Sequence, residues 1–551
     1  MATSWDDRSR FETIRPRRRV LVVVDNVTAM TRLLDVVDLF EGDFRVSLDF
    51  VWNRADPQPN GLAELFAAKG VFPVQPESPR EYQLAITAGH SGLHGITAPI
   101  LSVPHGIRYT KIVPEARKPG SPEARKPGSP EAFGLSSDLL LADGRPISSA
   151  IVLSHDEQLA RLRAVAPAAA KVAVVTGDPC YDRLRASVPW RPRYRRALGA
   201  DDDQTVIAVS STHRNDSLLG EVCELYERLL AELPVDDFRV AAILHPHIWY
   251  EHGPHQMHRW LAPHRRSGLV VVPPEQGWRA TLVAADLLIG DHGSVTAYGA
   301  ALGLPTSLAA FPESSVAPDS AVALLASQAG RLDLGQSLLP QLRKVAAEHT
   351  TEKSAALHRA ITSYPDEAAG RLRALCYSML GLTEPRTEPG VPPDTTAGLP
   401  AEDWSWRPTA MHVTGVVHNG RSISLDRYAA EMLPQARIPR RSHLVVAAHH
   451  PGPRLRAIAD VLVLTDGESW GQHAETWLRE TISAHPGLQL AAAVHDGACV
   501  VRTRGGDQVR LAGTGDPVLY ASAVFEWLAA GRELAELSPD VNVNGRPVAA
   551  S

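Results

Sequence analysis

The sequence predicts an α/β protein with two doubly wound lobes facing a cleft in about the first 380 residues, followed by a smaller C-terminal α/β domain. Three observations lead there. Short β-branched runs without polar alternation, such as Val20–Val24, recur along the chain and read as parallel strands buried on both faces. Segments of helical period lie between them, the pattern of a parallel sheet covered on both sides. The rhythm ends near residue 185, restarts at Thr205 and ends again in a Pro-rich stretch. A length of 551 residues likewise exceeds one core.

The first lobe is expected over 1–185. Its opening strand is followed by a helix from about Val27 to Phe40 and a strand from about Arg45 to Val51. Further strands are expected at Leu84–Thr87, Ile100–Val103, Ala150–Leu153 and Val172–Val175, with a helix over Glu157–Val165. Glu115-Ala-Arg-Lys-Pro-Gly-Ser-Pro122 is repeated at once as residues 123–130; with two Pro and one Gly in eight residues it reads as an exposed loop.

The second lobe is expected over 186–382, beginning with a strand at Thr205–Val209. Leu218, Val222, Leu225, Leu229 and Leu233 then keep a 3.6-residue period, predicting one helix capped by Asn215 or Asp216 and stopped by Pro234. Strands at about Arg239–Leu244, Leu269–Val272 and Asp286–Ile289 and helices near 341–349 and 366–380 complete the lobe. Residues 383–408, with Pro385, Pro389, Pro392, Pro393 and Pro400 among Thr and Gly, read as a linker. Beyond it, apolar runs at Val413–Val417, Leu444–Ala448, Val461–Leu464 and Leu488–Val494, with helices near 471–483 and 517–529, describe the domain over 409–551.

A net charge of −6 gives no field that would gather nucleic acid, and Arg15, Arg17, Arg18 and Arg19 read as the solvated lead-in to a strand. The four cysteines are widely spaced and suit a reduced, cytoplasmic setting. No apolar run approaches the ~18–20 residues of a membrane span, and the start, with Asp6 and Asp7, lacks a signal-peptide core. Any membrane contact is expected to be peripheral, at the inner face of the plasma membrane.

In open parallel sheets ligands gather at the carboxyl ends of the strands. His105-Gly106 follows the expected strand at Leu101–Val103, and Ser210-Ser211-Thr212 follows Thr205–Val209. His245-Pro246-His247 follows Val240–Leu244, and Gly290-Asp291-His292-Gly293-Ser294-Val295-Thr296 follows Asp286–Ile289. A glycine and two hydroxyl residues opening a helix suit a phosphate, which its unpaired N–H groups and dipole attract; Ser294 acting only as a cap is the plainer reading. His292 and His245 could donate to a pyrophosphate, while His105 comes from the other lobe as a general base. A metal on His252, His255 and His258 beside His245 and His247 is disfavoured, because that spacing walks around a helix and no carboxylate or Cys joins it. No phosphate loop of the Gly-x4-Gly-Lys type is present, and Asp25-Asn-Val-Thr28 stands where a dinucleotide turn would carry glycines.

Val103-Pro-His-Gly106 with Lys111, Ser210-Ser-Thr212, His245-Pro246, Asp291-His-Gly-Ser294 and Gly303-Leu-Pro305, in this order over about residues 20–380, resemble the CDP-glycerol glycerophosphotransferase family of teichoic acid synthesis. Lys111 sits one residue farther from the His-Gly turn than in that family, and Asp291-His-Gly-Ser replaces its usual Ser-Asp-Tyr-Ser-Ser type of segment. The resemblance implies a GT-B architecture of two Rossmann-like lobes, metal-independent and without cofactor, taking a nucleotide-diphospho donor and a hydroxyl acceptor. It implies His105 as base, with Gly106 and Lys111 on the acceptor side. His245, Ser294 and Thr296 would act on the donor phosphates, and Ser210, Ser211, Thr212, His247, Asp291, His292 and Gly293 are candidates beside them. A nucleotide-sugar glycosyltransferase and a non-catalytic scaffold remain open. So does a nucleotide-sugar epimerase, which would need Asp178 or Asp291 as a carboxylate base.

Overall fold

The computed structural model describes residues 13–54, 61–74, 81–89, 92, 93, 95–112, 134, 135, 137–396, 399, 407–419, 422–434, 437–465, 472–537 and 540–550. The duplicated octapeptide lies outside the described residues, as do Asp6 and Asp7.

The first lobe is built on strands β1 (Arg18–Val24), β2 (Val46–Trp52), β3 (Leu84–Thr87), β4 (Ile100–Ser102), β7 (Ala150–Leu153) and β8 (Ala173–Val175), with a small hairpin of β5 (Leu141–Ala142) and β6 (Arg145–Pro146) off the sheet. Their order is β2-β1-β3-β4-β7-β8, and every pairing is parallel, with Val22 beside both Phe50 and Ile86. The second lobe carries β9 (Thr205–Ser211), β10 (Phe238–Leu244), β11 (Val270–Val271), β12 (Leu287–Gly290), β13 (Thr306–Leu308) and β14 (Gly330–Arg331), ordered β11-β10-β9-β12-β13-β14 and again all parallel. Winding reverses between β9 and β12, so a crevice opens at their carboxyl ends, where such sheets bind ligands.

Both sheets are buried on two faces, as the unalternating apolar runs require. Val20, Val22, Ile86 and Leu33 form one core with Leu372, Cys376 and Tyr377 of the helix Ala368–Leu380. That helix follows the second lobe in sequence yet returns to the first, where the Tyr377 hydroxyl donates to Asp43 at 2.7 Å and Arg18 Nε to the Leu380 carbonyl at 2.7 Å. Each large side chain buried this way contributes roughly 1.5–3 kcal/mol, so the helix ties the lobes covalently and by packing.

Two expectations are corrected. The helix expected over 218–233 is two helices, Leu218–Glu221 and Leu225–Glu232, broken at Val222. Its cap is Ser217, whose Oγ accepts from Gly220 N, because Leu218 N is drawn to Asp291 instead of a cap one residue earlier. In the expected linker, residues 383–396 and Leu399 are described and pack on the lobes. Asp394 is held by Arg183 and Arg279 and accepts at its carbonyl from Tyr194, and Leu399 is buried in the second-lobe core.

The C-terminal region, expected only as a smaller α/β domain, closes its strands into a barrel. Its strands are β15 (Ala410–His418), β16 (Ser422–Ala429), β17 (His443–Ala447), β18 (Val461–Thr465), β19 (Leu490–His495), β20 (Ala498–Thr503), β21 (Gln508–Gly513), β22 (Asp540–Val543) and β23 (Arg546–Ala550). One apolar cluster joins Leu519, Tyr520, Val524 and Trp527 of the helix Pro517–Ala529 to residues of all nine strands, so the helix fills the barrel. The barrel docks on the second lobe through Arg427, which pairs with Asp236 at 2.5 Å and Asp516 at 2.6 Å, and through Arg266 with Glu431 at 2.8 Å. Asp236 and Arg266 precede β10 and β11, placing the barrel at the amino ends of those strands, away from the crevice. Among the described residues no helix is long and apolar enough to cross a membrane.

Candidate active site

The first lobe contributes the turn after β4. Nδ1 of His105 lies 2.9 Å from the carbonyl of Ala88, at the end of β3. A carbonyl only accepts, so Nδ1 carries the hydrogen and Nε2 keeps its lone pair. The ring meets solvent in the cleft but is set in a dense wall of protein. That desolvation outweighs the bond to Ala88 and, with Arg108 and Arg32 adding to it, lowers the pKa to about 4. His105 is therefore a neutral base at pH 7 with one nitrogen fixed and the other available.

The second lobe answers with the turn after β12. Asp291 is fully buried, and its carboxylate accepts from the backbone N–H of Thr212 at 2.7 Å, Leu218 at 3.0 Å and Gly293 at 2.9 Å. It thereby joins the end of β12 to the loop after β9, and burial outweighs these bonds to raise its pKa to about 6. Gly293 caps the helix Ser294–Leu302 without a side-chain bond, so Ser294 is the first helical residue and not the cap. The next N–H groups of the helix have no partner within it and face the cleft. A Cβ on Gly106 would lie 3.1 Å from Ser294 Oγ, so the histidine turn of one lobe and the helix start of the other meet.

Beside this contact the structure places a histidine that the sequence reading missed. The His213 ring lies tilted at 4.5 Å from His245 and edge-on at 4.8 Å to His247. The apolar run ending at Val209 suggests a loop from Ser210, but β9 continues to Ser211, so His213 and Arg214 take the strand-end position. His245 Nδ1 accepts from His247 N at 3.1 Å, which leaves the hydrogen on Nε2 as a donor. Burial foremost lowers the pKa of His213 to about 3 and of His292 to about 4, and takes that of His245 well below its usual value; the Lys111 charge adds to all three. Lys111 reaches across the lobes to Thr212 Oγ1 at 3.4 Å, while its strand segment pairs with Val316.

Ligand atoms of His213, His245 and His247 lie within 4.8 Å of one another, a spacing that could hold a metal ion. The donor set fits an anion better. His245 could offer Nε2 to a metal only with its hydrogen moved to Nδ1, against the N–H of His247, and Lys111 and Arg214 bring positive charge to the same spot. Neutral imidazole N–H groups with two cations are what a phosphate needs. His252, His255 and His258 form no such cluster; His252 instead meets Trp260 edge-on at 5.1 Å.

Other expected ligands are buried or bonded within the protein. Ser211 Oγ donates to the Thr212 carbonyl and accepts from Leu219 N. Ser210 is buried in β9. Thr296 is buried beneath its helix against Gly290, where a Cβ would come within 2.3 Å of its hydroxyl, so it faces the sheet and not the cleft. Asp291 organises the loop and leaves no oxygen turned to a phosphate. Asp178 is likewise committed, accepting from Cys180 N, Tyr181 N and, across the lobes, the Tyr298 hydroxyl at 2.7 Å. Neither carboxylate is free to act as the base that an epimerase would need.

No family model matches the sequence, and no curated protein does. Among solved structures the chain is similar to the wall teichoic acid polymerase TagF, at 13% identity over 67% of this chain and 90% of that one, with a TM-score of 0.46. It is also similar to UDP-GlcNAc 2-epimerase from Methanocaldococcus jannaschii, at 12% identity over 65% of this chain and 99% of that one, with a TM-score of 0.39, and to S. aureus MnaA in complex with UDP, at 12% identity over 69% and 100%, with a TM-score of 0.38.

Proposed function

We propose that the chain is a metal-independent transferase that moves a group from a nucleotide-diphospho donor to an acceptor hydroxyl, with a CDP-glycerol-type donor as the first choice. Residues 1–185 form the acceptor side and 186–382 the donor side. The reading is carried by one observation: a neutral imidazole with an open Nε2, on one lobe, adjoins the helix start at Ser294 on the other. The motif order shared with the glycerophosphotransferases favours this donor.

In the step proposed, His105 Nε2 takes the proton of the acceptor hydroxyl as its oxygen attacks the phosphorus bearing glycerol. The bond from that phosphorus to the bridging oxygen breaks, and CMP leaves with the electron pair. His245 Nε2–H, His292, Lys111 and the N–H groups after Gly293 hold the charge that grows on the phosphates. With a nucleotide-sugar donor the same groups would serve attack at the anomeric carbon, and a nucleoside diphosphate would leave.

A thermal-shift screen of CDP-, UDP-, GDP- and TDP-linked compounds tests the reading. One nucleotide class is expected to stabilise the wild type and to lose most of that effect in Ser294→Ala, with no change on adding a chelator. Stabilisation by none of them, or only after a divalent metal is added, would overturn it.

A further inference from the structure

Arg32, on the helix Val27–Val37 of the first lobe, is 8% exposed and reaches out of its own lobe. Its Nη1 donates to the thiol of Cys180, which unlike Cys223 is buried, and its guanidinium lies over the Trp278 ring, 4.9 Å from the centroid. Cys180 and Trp278 both pack in the second-lobe core. Asp35, on the same helix, pairs with Arg183 at 2.8 Å and with Arg279, whose guanidinium also lies over Trp278, at 5.0 Å. Spaced three apart, Arg32 and Asp35 share one helix face, and that face grips the other lobe. The remaining contact of Arg32 turns back to the site: Nε donates to the carbonyl of His105 at 3.4 Å. Arg32, Val103, Pro104 and Gly106 enclose a void of about 10 Å³, room for about one water molecule, so the turn has little space in which to shift.

The partners of Arg32 are all neutral. Among the described residues it has no carboxylate partner: Asp35 is taken by Arg183 and Arg279, and Asp178 by two backbone N–H groups and the Tyr298 hydroxyl. A guanidinium is weakly hydrated and stacks on an indole, but burying its charge unpaired still costs stability. Apolar packing would join the lobes at less cost, so the charge and the forked donors need a reason beyond cohesion. The carbonyl that the fork reaches belongs to the proposed base. We infer that Arg32 is a positioning residue that fixes the His105 turn against the second lobe, so that the lobe contact and the aim of Nε2 are set by one side chain. This rests on the reading of His105 as base given above. The Arg32 charge also opposes protonation of the ring, as do Arg108 and, from the second lobe, His247.

Arg32→Gln is expected to lower kcat by about 10- to 100-fold, the scale of a base held about 1 Å out of place, and to leave donor affinity unchanged. In a His105→Ala background the same substitution should cost nothing further, because a residue that acts through the base has nothing left to position. Arg32→Lys keeps the charge but cannot bridge His105 and Cys180 with one planar fork, so it should recover little of the loss. A readout without turnover is the pH dependence of His105 carbethoxylation by diethyl pyrocarbonate, followed by peptide mass spectrometry; its midpoint should move to higher pH in Arg32→Gln, as a cation is removed and the turn loosens. Should Arg32→Gln fail to fold, Cys180→Ala frees the outer end of the fork and should show the same split and the same shift in weaker form. Equal losses with and without His105, a fall in donor affinity matching that in kcat, or full activity in Arg32→Lys would overturn the assignment. If the wild type transfers nothing, the transferase reading has failed and the carbethoxylation midpoint alone decides Arg32: a shift upholds its hold on His105, and an unmoved midpoint overturns it.

Discussion

His105→Ala is expected to lower kcat for donor turnover by about 10²–10⁴-fold, the usual contribution of a positioned base, while donor affinity hardly changes. The split follows from position: His105 stands on the acceptor side, and the donor's phosphates are assigned to the other lobe. Its pH dependence carries a sign. With a pKa lowered to about 4, the ring is protonated and inactive only below that value, so His105 sets a rise in kcat/KM through about 4, apart from any limb that Asp291 sets near 6. Steady-state rates of the wild type from pH 3.5 to 8, with CMP release followed directly, provide the check. A wild-type rate that shows no fall on approaching pH 4, or a His105→Ala rate equal to the wild type's at neutral pH, would remove His105 from the role.

Asp291→Ala is expected to be the most destabilising single change near the site. It would strand the buried N–H groups of Thr212, Leu218 and Gly293, each worth about 1–3 kcal/mol when left unpaired, for a loss of at least about 3 kcal/mol. The loop carrying His213 and the start of the helix at Ser294 would part at the same time. Thermal melting and nucleotide binding should therefore fail together, with Asp291→Asn intermediate because it keeps one accepting oxygen. A melting temperature unchanged in Asp291→Ala would show that water replaces the clamp.

What was legible in the sequence follows its physics. Strands buried on both faces read as continuous apolar runs, and β3 and β7 lie where those runs predict. The barrel was hidden because β16 and β21 alternate buried and exposed residues, a weaker signal, and because closure is a property of pairings that no local run contains. The structure brings His105, His245, His292 and Ser294 to strand ends on the cleft, a placement that depends only on where an apolar run stops. Ser210, Ser211, Thr296 and Asp291 are buried, because whether a polar side chain faces the cleft or bonds its own loop is set by tertiary contacts. The sequence reading missed His213 for a local reason, the two polar residues by which β9 outlasts its apolar run.

The meeting of the two turns can be measured directly. Gly106→Cys with Ser294→Cys, in a Cys223→Ser background, would place two Cβ atoms about 3.6 Å apart, inside the range of about 3.5–4.5 Å that a disulfide spans. A bond joining 106 to 294 is expected to form under mild oxidation and to appear as a cross-linked peptide after digestion. Two thiols that stay free in the folded double variant would contradict the claim that the histidine turn faces the phosphate-binding helix start.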